Sequence, residues 1–94
     1  MNFKDKPLEA FWDNPDENPP RHVPPELRRA TYRKLQILDA AKTLQDLRVP
    51  PSNHLEKLNG DRSGQYSVRV NKRWRICFVW TEDGAKEVEF CDYH

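Results

Sequence analysis

Between Tyr66 and Phe90 large apolar side chains fall on every second residue, in three runs parted by turn-forming residues: Tyr66, Val68, Val70; Trp74, Ile76, Phe78, Trp80; then Val88 and Phe90. Such alternation suits half-buried strands, whose successive side chains point to opposite faces. Asn71-Lys72-Arg73 and Thr81-Glu82-Asp83-Gly84 are polar links, so the runs read as an antiparallel meander. A further alternation, His54, Glu56 and Leu58 against Leu55 and Lys57, precedes a Gly-containing turn at residues 59–64 and gives three to four strands in all.

Ahead of the strands the period changes. Residues 13–24 are rich in Pro, Asn and acids and read as an exposed loop after a short N-terminal element. Pro24-Pro25-Glu26 is a helix start, with proline in the first turn and an acid at the positive end of the dipole. Leu27, Thr31, Leu35, Leu38 and Ala41 or Lys42 then follow helical spacing, which predicts a helix to about residue 42. Thr43 and Asp46 have capping-box spacing, so a short helix through Leu47 follows and Pro50-Pro51 stops it. The fold class is therefore α+β, with N-terminal helices packed on one face of a small antiparallel sheet.

The 94 residues allow one core, so residues 1–94 read as a single domain. A third of them are charged, but three Trp, four Phe and three Tyr supply core material that a disordered chain lacks. No apolar run approaches a membrane span and the N-terminus lacks a signal peptide's apolar stretch, so no membrane partner is expected and the default location is the cytoplasm. Cys77 and Cys91 have no His or Cys at ligand spacing, so neither a zinc site nor any other metal or cofactor is indicated; small buried thiols are the first reading, a redox bridge the second. The net charge of +1 hides balances of −3, +8 and −4 over residues 1–26, 27–75 and 76–94. The basic middle suits phosphate contact, although Arg28, Arg29, Arg33 and Lys34 also fit the solvated side of a helix.

Alternation also sorts the polar residues. With Tyr66, Val68, Ile76 and Phe78 turned to the helices, Arg69 and Arg75 converge on the open face. The last three residues, Asp92, Tyr93 and His94, combine side chains suited to moving protons. They directly follow Val88-Glu89-Phe90 and Cys91, which should anchor them in the sheet. Parity puts Asp92 and His94 on the inward side and Tyr93 on the open one, unless a bulge near Cys91 reassigns them.

The ordered set Pro50-Pro51-Ser52-Asn53, Leu55-Glu56-Lys57-Leu58-Asn59-Gly60-Asp61-Arg62, Gly64-Gln65-Tyr66-Ser67-Val68-Arg69-Val70-Asn71, Trp74-Arg75-Ile76-Cys77-Phe78 and Asp92-Tyr93-His94 resembles the HigB-type toxins of bacterial toxin–antitoxin pairs, within the RelE-like superfamily. Leu38-Asp39-Ala40-Ala41 and Leu44-Gln45-Asp46-Leu47 look like the family's helical hairpin. The resemblance implies ribosome-dependent cleavage of mRNA in the A site and neutralisation by a cognate HigA-like helix-turn-helix antitoxin. Operator DNA would be bound only through the antitoxin complex. A gyrase-binding inhibitor on the same scaffold, or a plain RNA-binding module, are the alternatives.

Metal-free RNA cleavage needs a proton acceptor for the 2′-OH, a cation for the phosphorane and a proton donor for the leaving 5′-oxygen. Arg75 suits the phosphate through its planar fork of donors, the alternative being an edge salt bridge to Glu87 or Glu89. His94 is a candidate acid or base, Tyr93 a stacking or charge-stabilising group, and Asp92 a proton acceptor or an orienter of His94. Some relatives carry a catalytic His four residues before the glycine, in a His-Pro-Leu-Lys-Gly string, where this chain has Glu56. His54, two residues earlier and so on the same strand face, is a candidate for that role; the alternative is an ordinary exposed histidine. His22 receives none. Arg62, Arg69, Lys72 and Arg73 are candidate RNA-phosphate contacts, with solvated surface the alternative for Lys72 and Arg73.

Overall fold

A computed structural model describes residues 1–92 and resolves the alternating runs into a four-stranded antiparallel meander. The strands are β1 (Glu56–Lys57), β2 (Tyr66–Arg69), β3 (Trp74–Thr81) and β4 (Gly84–Asp92), paired in that order. Residues facing each other across a ladder share a side of the sheet. The pairs Val68↔Ile76, Tyr66↔Phe78 and Ile76↔Phe90 therefore build the inner face. Glu56↔Ser67, Arg69↔Arg75, Arg75↔Cys91 and Cys77↔Glu89 build the outer one.

Parity breaks once. Cys77 pairs with Glu89 but Val79 with Lys86, so β4 holds one extra residue there, and Glu87 takes φ 51. Ala85 and Val88 consequently both face inward, at 1% and 0% exposure. A left-handed glutamate costs about 1–2 kcal/mol, offset in part because its N–H donates to Asn2 Oδ1 at 2.8 Å. With the bulge at Glu87 rather than near Cys91, Asp92 keeps the inward parity of Val88 and Phe90 and pairs with Trp74.

The N-terminal segment runs along the outer edge of β4, with a parallel bridge between Phe3 and Val88. Asp5 then does three things. Its Oδ1 accepts the Leu8 N–H and caps helix α1 (Lys6–Asp13), its Oδ2 accepts the Phe90 N–H, and His22 Nε2 lies 2.7 Å from Oδ2. His22 thus ties the Pro/Asn/acid-rich loop to the sheet edge, a role its sequence context did not suggest.

A 3₁₀ turn at Pro25–Leu27 leads into α2 (Arg28–Ala40), which buries Thr31, Leu35 and Leu38 of the expected stripe; Leu27 and Ala41 are half-buried. Each fully buried leucine contributes about 1.5–3 kcal/mol. The helix stops at Ala40, short of residue 42, because the Lys42 and Thr43 N–H groups donate to Asp46 Oδ2 at 2.9 and 3.0 Å. Thr43 Oγ1 accepts the Asp46 N–H in return, and this capping box starts the expected second turn, as a 3₁₀ helix at Leu44–Arg48. The two backbone hydrogen bonds hold the Asp46 carboxyl below the usual carboxylate range.

Asn53, fully buried, locks the end of this hairpin to α2. Its Nδ2 donates to the Leu47 and Val49 carbonyls and its Oδ1 accepts from Lys34 Nζ at 2.7 Å. Burial, then Arg33, push the Lys34 ammonium below its ordinary pKa, so the amide oxygen compensates a strained charge. Asn53→Ala should lower unfolding free energy by about 3 kcal/mol, because three polar groups lose their partner. Urea denaturation measures this, and an unchanged midpoint would mean that water substitutes for the amide.

The strand expected from His54 to Leu58 is reduced to Glu56–Lys57. Pro51–Asn53 forms a 3₁₀ turn, and His54 closes it in the left-handed region, φ 44 and ψ 54. His54 therefore lies outside β1, and strand alternation cannot pair its side chain with that of Glu56.

Candidate functional site

The open face of the sheet is organised by Arg75, which is 8% exposed although it carries a full charge. Its Nε donates to Ser67 Oγ at 2.6 Å and its Nη2 to the His54 carbonyl at 2.5 Å, while Glu56 Oε2 lies 3.8 Å from Nη2. Antiparallel register supplies Ser67 from β2 and Glu56 from β1, and the left-handed His54 turns its carbonyl toward the guanidinium. The carboxylate beside Arg75 is thus Glu56. Glu89 instead takes Arg62 at 3.3 Å and Lys4 at 3.6 Å, and Glu87 sits in the bulge, which corrects the edge salt bridge considered from sequence.

Arg69 stands directly across β2–β3 from Arg75, its Nε donating to the Asn71 carbonyl at 3.1 Å. Like charges facing across a ladder repel. Only one carboxylate side chain, Glu56, lies within ion-pair distance of either guanidinium among the described residues.

The other candidates are distributed around this centre. Arg62, in the 3₁₀ turn Gly60–Arg62, bonds Gln65 Oε1 and Glu89 Oε2 at 3.0 and 3.3 Å. Lys72 is exposed in the β2–β3 link. Arg73 is engaged with Asp92: its Nε and Nη2 reach Oδ2 at 3.0 and 2.7 Å, and its guanidinium lies 4.8 Å from the Trp74 ring centroid. Trp74 stacks in turn on Phe90 at 4.9 Å. Asp92 therefore sits at the end of β4 on the inward side, in an ion pair with Arg73, whereas Arg75 occupies the outer face. Tyr93 and His94 lie outside the described residues. His54 reaches Arg75 through its carbonyl, and it lies outside the strand whose face was expected to place its side chain beside Glu56.

The residue that sequence reasoning passed over is Glu56. Its side chain is half-exposed beside a buried guanidinium. The signal was available, since Glu56 stands four residues before Gly60, the position at which the resemblance implies a catalytic histidine in some members of the family. Concavity does not pick out this face: cavities of about 410 and 620 Å³ lie instead along the N-terminal loop, lined by residues such as Phe11, Tyr32 and Arg33, and Pro7, Asn18 and His22. Among the described residues no three His, Cys, Asp or Glu side chains gather as a metal-ligand group, and no helix is long and apolar enough to cross a membrane.

A family model described as the RelE-like toxin of type II toxin-antitoxin system HigB matches residues 1–94. Toxin HigB-1 of Vibrio cholerae serotype O1 is 44% identical over 94 residues, covering 100% of this chain and 96% of that protein. Endoribonuclease HigB of Proteus vulgaris is 34% identical over 61 residues, 65% of each chain. Among solved structures, the YoeB-YefM complex from Staphylococcus aureus contains a chain that matches with a TM-score of 0.55 at 19% identity, over 95% of this chain and 85% of that one, a likeness of fold.

Proposed function

The chain belongs to the HigB-like family of RelE-like toxins of type II toxin–antitoxin systems, and on that basis we propose that it is an endoribonuclease that cuts mRNA in the ribosomal A site. The observation that carries the reading is the fixed guanidinium of Arg75 with a half-exposed carboxylate, Glu56, at 3.8 Å. That pairing offers a cation for a phosphorane and a base for a neighbouring hydroxyl. The name of the Proteus vulgaris relative, an endoribonuclease, points the same way.

In the proposed reaction Glu56 takes the proton of the ribose 2′-OH, whose oxygen attacks the adjacent phosphorus. Arg75, with Arg69 opposite it, neutralises the charge that gathers on the non-bridging oxygens. The 5′-oxygen leaves with a proton, for which His94 and Tyr93 are the candidate donors. The products are a 2′,3′-cyclic phosphate and a 5′-hydroxyl. Ser67 and the His54 carbonyl fix the guanidinium in place, so little reorganisation is required when charge develops. Arg62, Lys72 and Arg73 are proposed to contact messenger or ribosomal phosphates, Arg73 through the guanidinium edge that its pair with Asp92 leaves exposed. The cytoplasm, where ribosomes and mRNA are, is the proposed place of action.

Inhibition of translation is relieved, on this reading, by the antitoxin of the pair, a helix-turn-helix protein that carries the toxin to operator DNA. Mapping RNA 5′ ends after induction in cells tests the reaction. Cuts inside translated codons, in frame and bearing 5′-hydroxyls, are expected; growth arrest with intact mRNA and inhibited gyrase would overturn the proposal.

A further inference from the structure

Cys77 and Cys91 are diagonal neighbours on the open face: Cys77 stands opposite Glu89, and Cys91 opposite Arg75. Both are free thiols, at 0% and 5% exposure, and they cluster with Leu58. Cys91 Sγ donates to the Glu89 carbonyl at 3.6 Å, which keeps a proton on that sulphur. The neighbouring Cys91 thiol, with Arg62 and Arg75 nearby, holds the Cys77 thiol below its ordinary pKa against the effect of burial. A sulphur beside two guanidinium charges and a neighbour that donates to a carbonyl are suited to be the attacking and the resolving thiol.

We infer that Cys77 and Cys91 form a reversible oxidation site for hydroperoxides, whose disulfide shifts the end of β4 against Arg75 and so turns the ribonuclease down. The regulatory half rests on the ribonuclease reading above; the oxidation site does not. The Cys77 thiolate attacks the terminal peroxide oxygen, the S–O bond forming as the O–O bond breaks, and hydroxide, or the alkoxide of an organic hydroperoxide, leaves and takes up a proton to become water or the alcohol. Cys91 sulphur then attacks the sulfenic sulphur: the S–S bond forms, the S–O bond breaks, and the hydroxyl departs as water with the Cys91 proton. The sulphur pair loses two electrons and the peroxide gains them.

Coupling to the site follows from sheet geometry. Diagonal residues of an antiparallel ladder have Cα atoms about 7–8 Å apart, whereas a disulfide holds them at about 5.5–6 Å. Closure must therefore draw Cys91 along β4 toward Glu89, moving residues 90–92 relative to Arg75 and straining the Arg73–Asp92 pair. Oxidant reaches the thiols when the Gly60–Arg62 turn opens, a turn held by the contacts of Arg62 with Gln65 and Glu89.

Treating the purified chain with hydrogen peroxide, followed by intact-mass measurement and mRNA cleavage on programmed ribosomes, tests both halves. Oxidation should remove two hydrogens from the mass and lower cleavage about 100-fold, the cost of an ångström-scale misplacement, and dithiothreitol should reverse both. Cys91→Ala should retain basal cleavage and lose neither hydrogens nor reversible activity. An unchanged mass, uptake of oxygen atoms alone, or a disulfide that leaves cleavage intact would overturn the inference. Should the reduced chain cleave no RNA, the ribonuclease reading fails by itself. The mass change and the amide resonances of residues 90–92 then decide the oxidation site and its displacement.

Discussion

Arg75→Lys is expected to cut mRNA cleavage on programmed ribosomes by about 100-fold or more, the usual cost of losing a preorganised donor. The folded state should survive. Arg75 spends one donor on Ser67 Oγ and another on the His54 carbonyl. A guanidinium can hold such contacts and still direct further N–H groups at a phosphate, because its five donors are spread around a rigid plane. A lysine ammonium has three donors on a flexible stem, so it keeps the charge but loses the fork. Arg75→Ala is a weaker experiment. It leaves a buried hydroxyl and a carbonyl without their donor, at about 1–3 kcal/mol each, and lost growth arrest would then be confounded with lost folding. Cleavage measured beside a thermal melt separates the two for the lysine variant. Wild-type activity in a folded Arg75→Lys protein would falsify the proposed use of the guanidinium fork.

Glu56→Gln should lower cleavage about 10²–10⁴-fold, the range contributed by a positioned acid or base. Stability should change by less than about 0.5 kcal/mol, since the side chain is half-exposed and its contact with Arg75 is loose. The amide keeps the shape and removes the basic oxygen, so the loss should appear in kcat rather than KM. Glu56→His is the informative partner. Imidazole can also accept a proton, and an ordinary histidine titrates near pH 6.5. That variant should recover much of the cleavage while the rising limb of the pH–rate profile moves upward. A Glu56→Gln protein that cleaves normally would return the search for the base to the His54 side chain or to the last two residues.

What could be read from sequence was whatever a local period encodes. The stripe Thr31, Leu35, Leu38 and the alternation through Trp74, Ile76 and Phe78 both appear as buried faces, since 3.6- and 2-residue repeats survive without knowledge of neighbours. The capping box at Thr43 and Asp46 is equally local. Failures came where a distant partner decides. The bulge at Glu87 depends on Asn2, far away in sequence. The strand at residues 54–58 shrank because His54 bends into a left-handed turn whose carbonyl meets Arg75. Arg75 and Arg69 could be assigned to the open face by parity, but their carboxylate could not. Glu56 reaches Arg75 only through the pairing of β1 with β2, which no period reports.

The bridge between Phe3 and Val88 bears on how a partner protein can take hold of this one. Sheets are commonly captured by strand addition, which needs a row of unpaired backbone groups at an edge. On the β4 side the N-terminal segment already claims such groups, through Asn2 with Ala85 and Val88 and through Lys4 with Val88. The opposite edge strand, β1, is two residues long. Among the described residues a binder that tried to extend the sheet would find little ladder to continue, which favours recognition through side chains. Specificity between toxins that share this backbone can then diverge residue by residue without altering the scaffold.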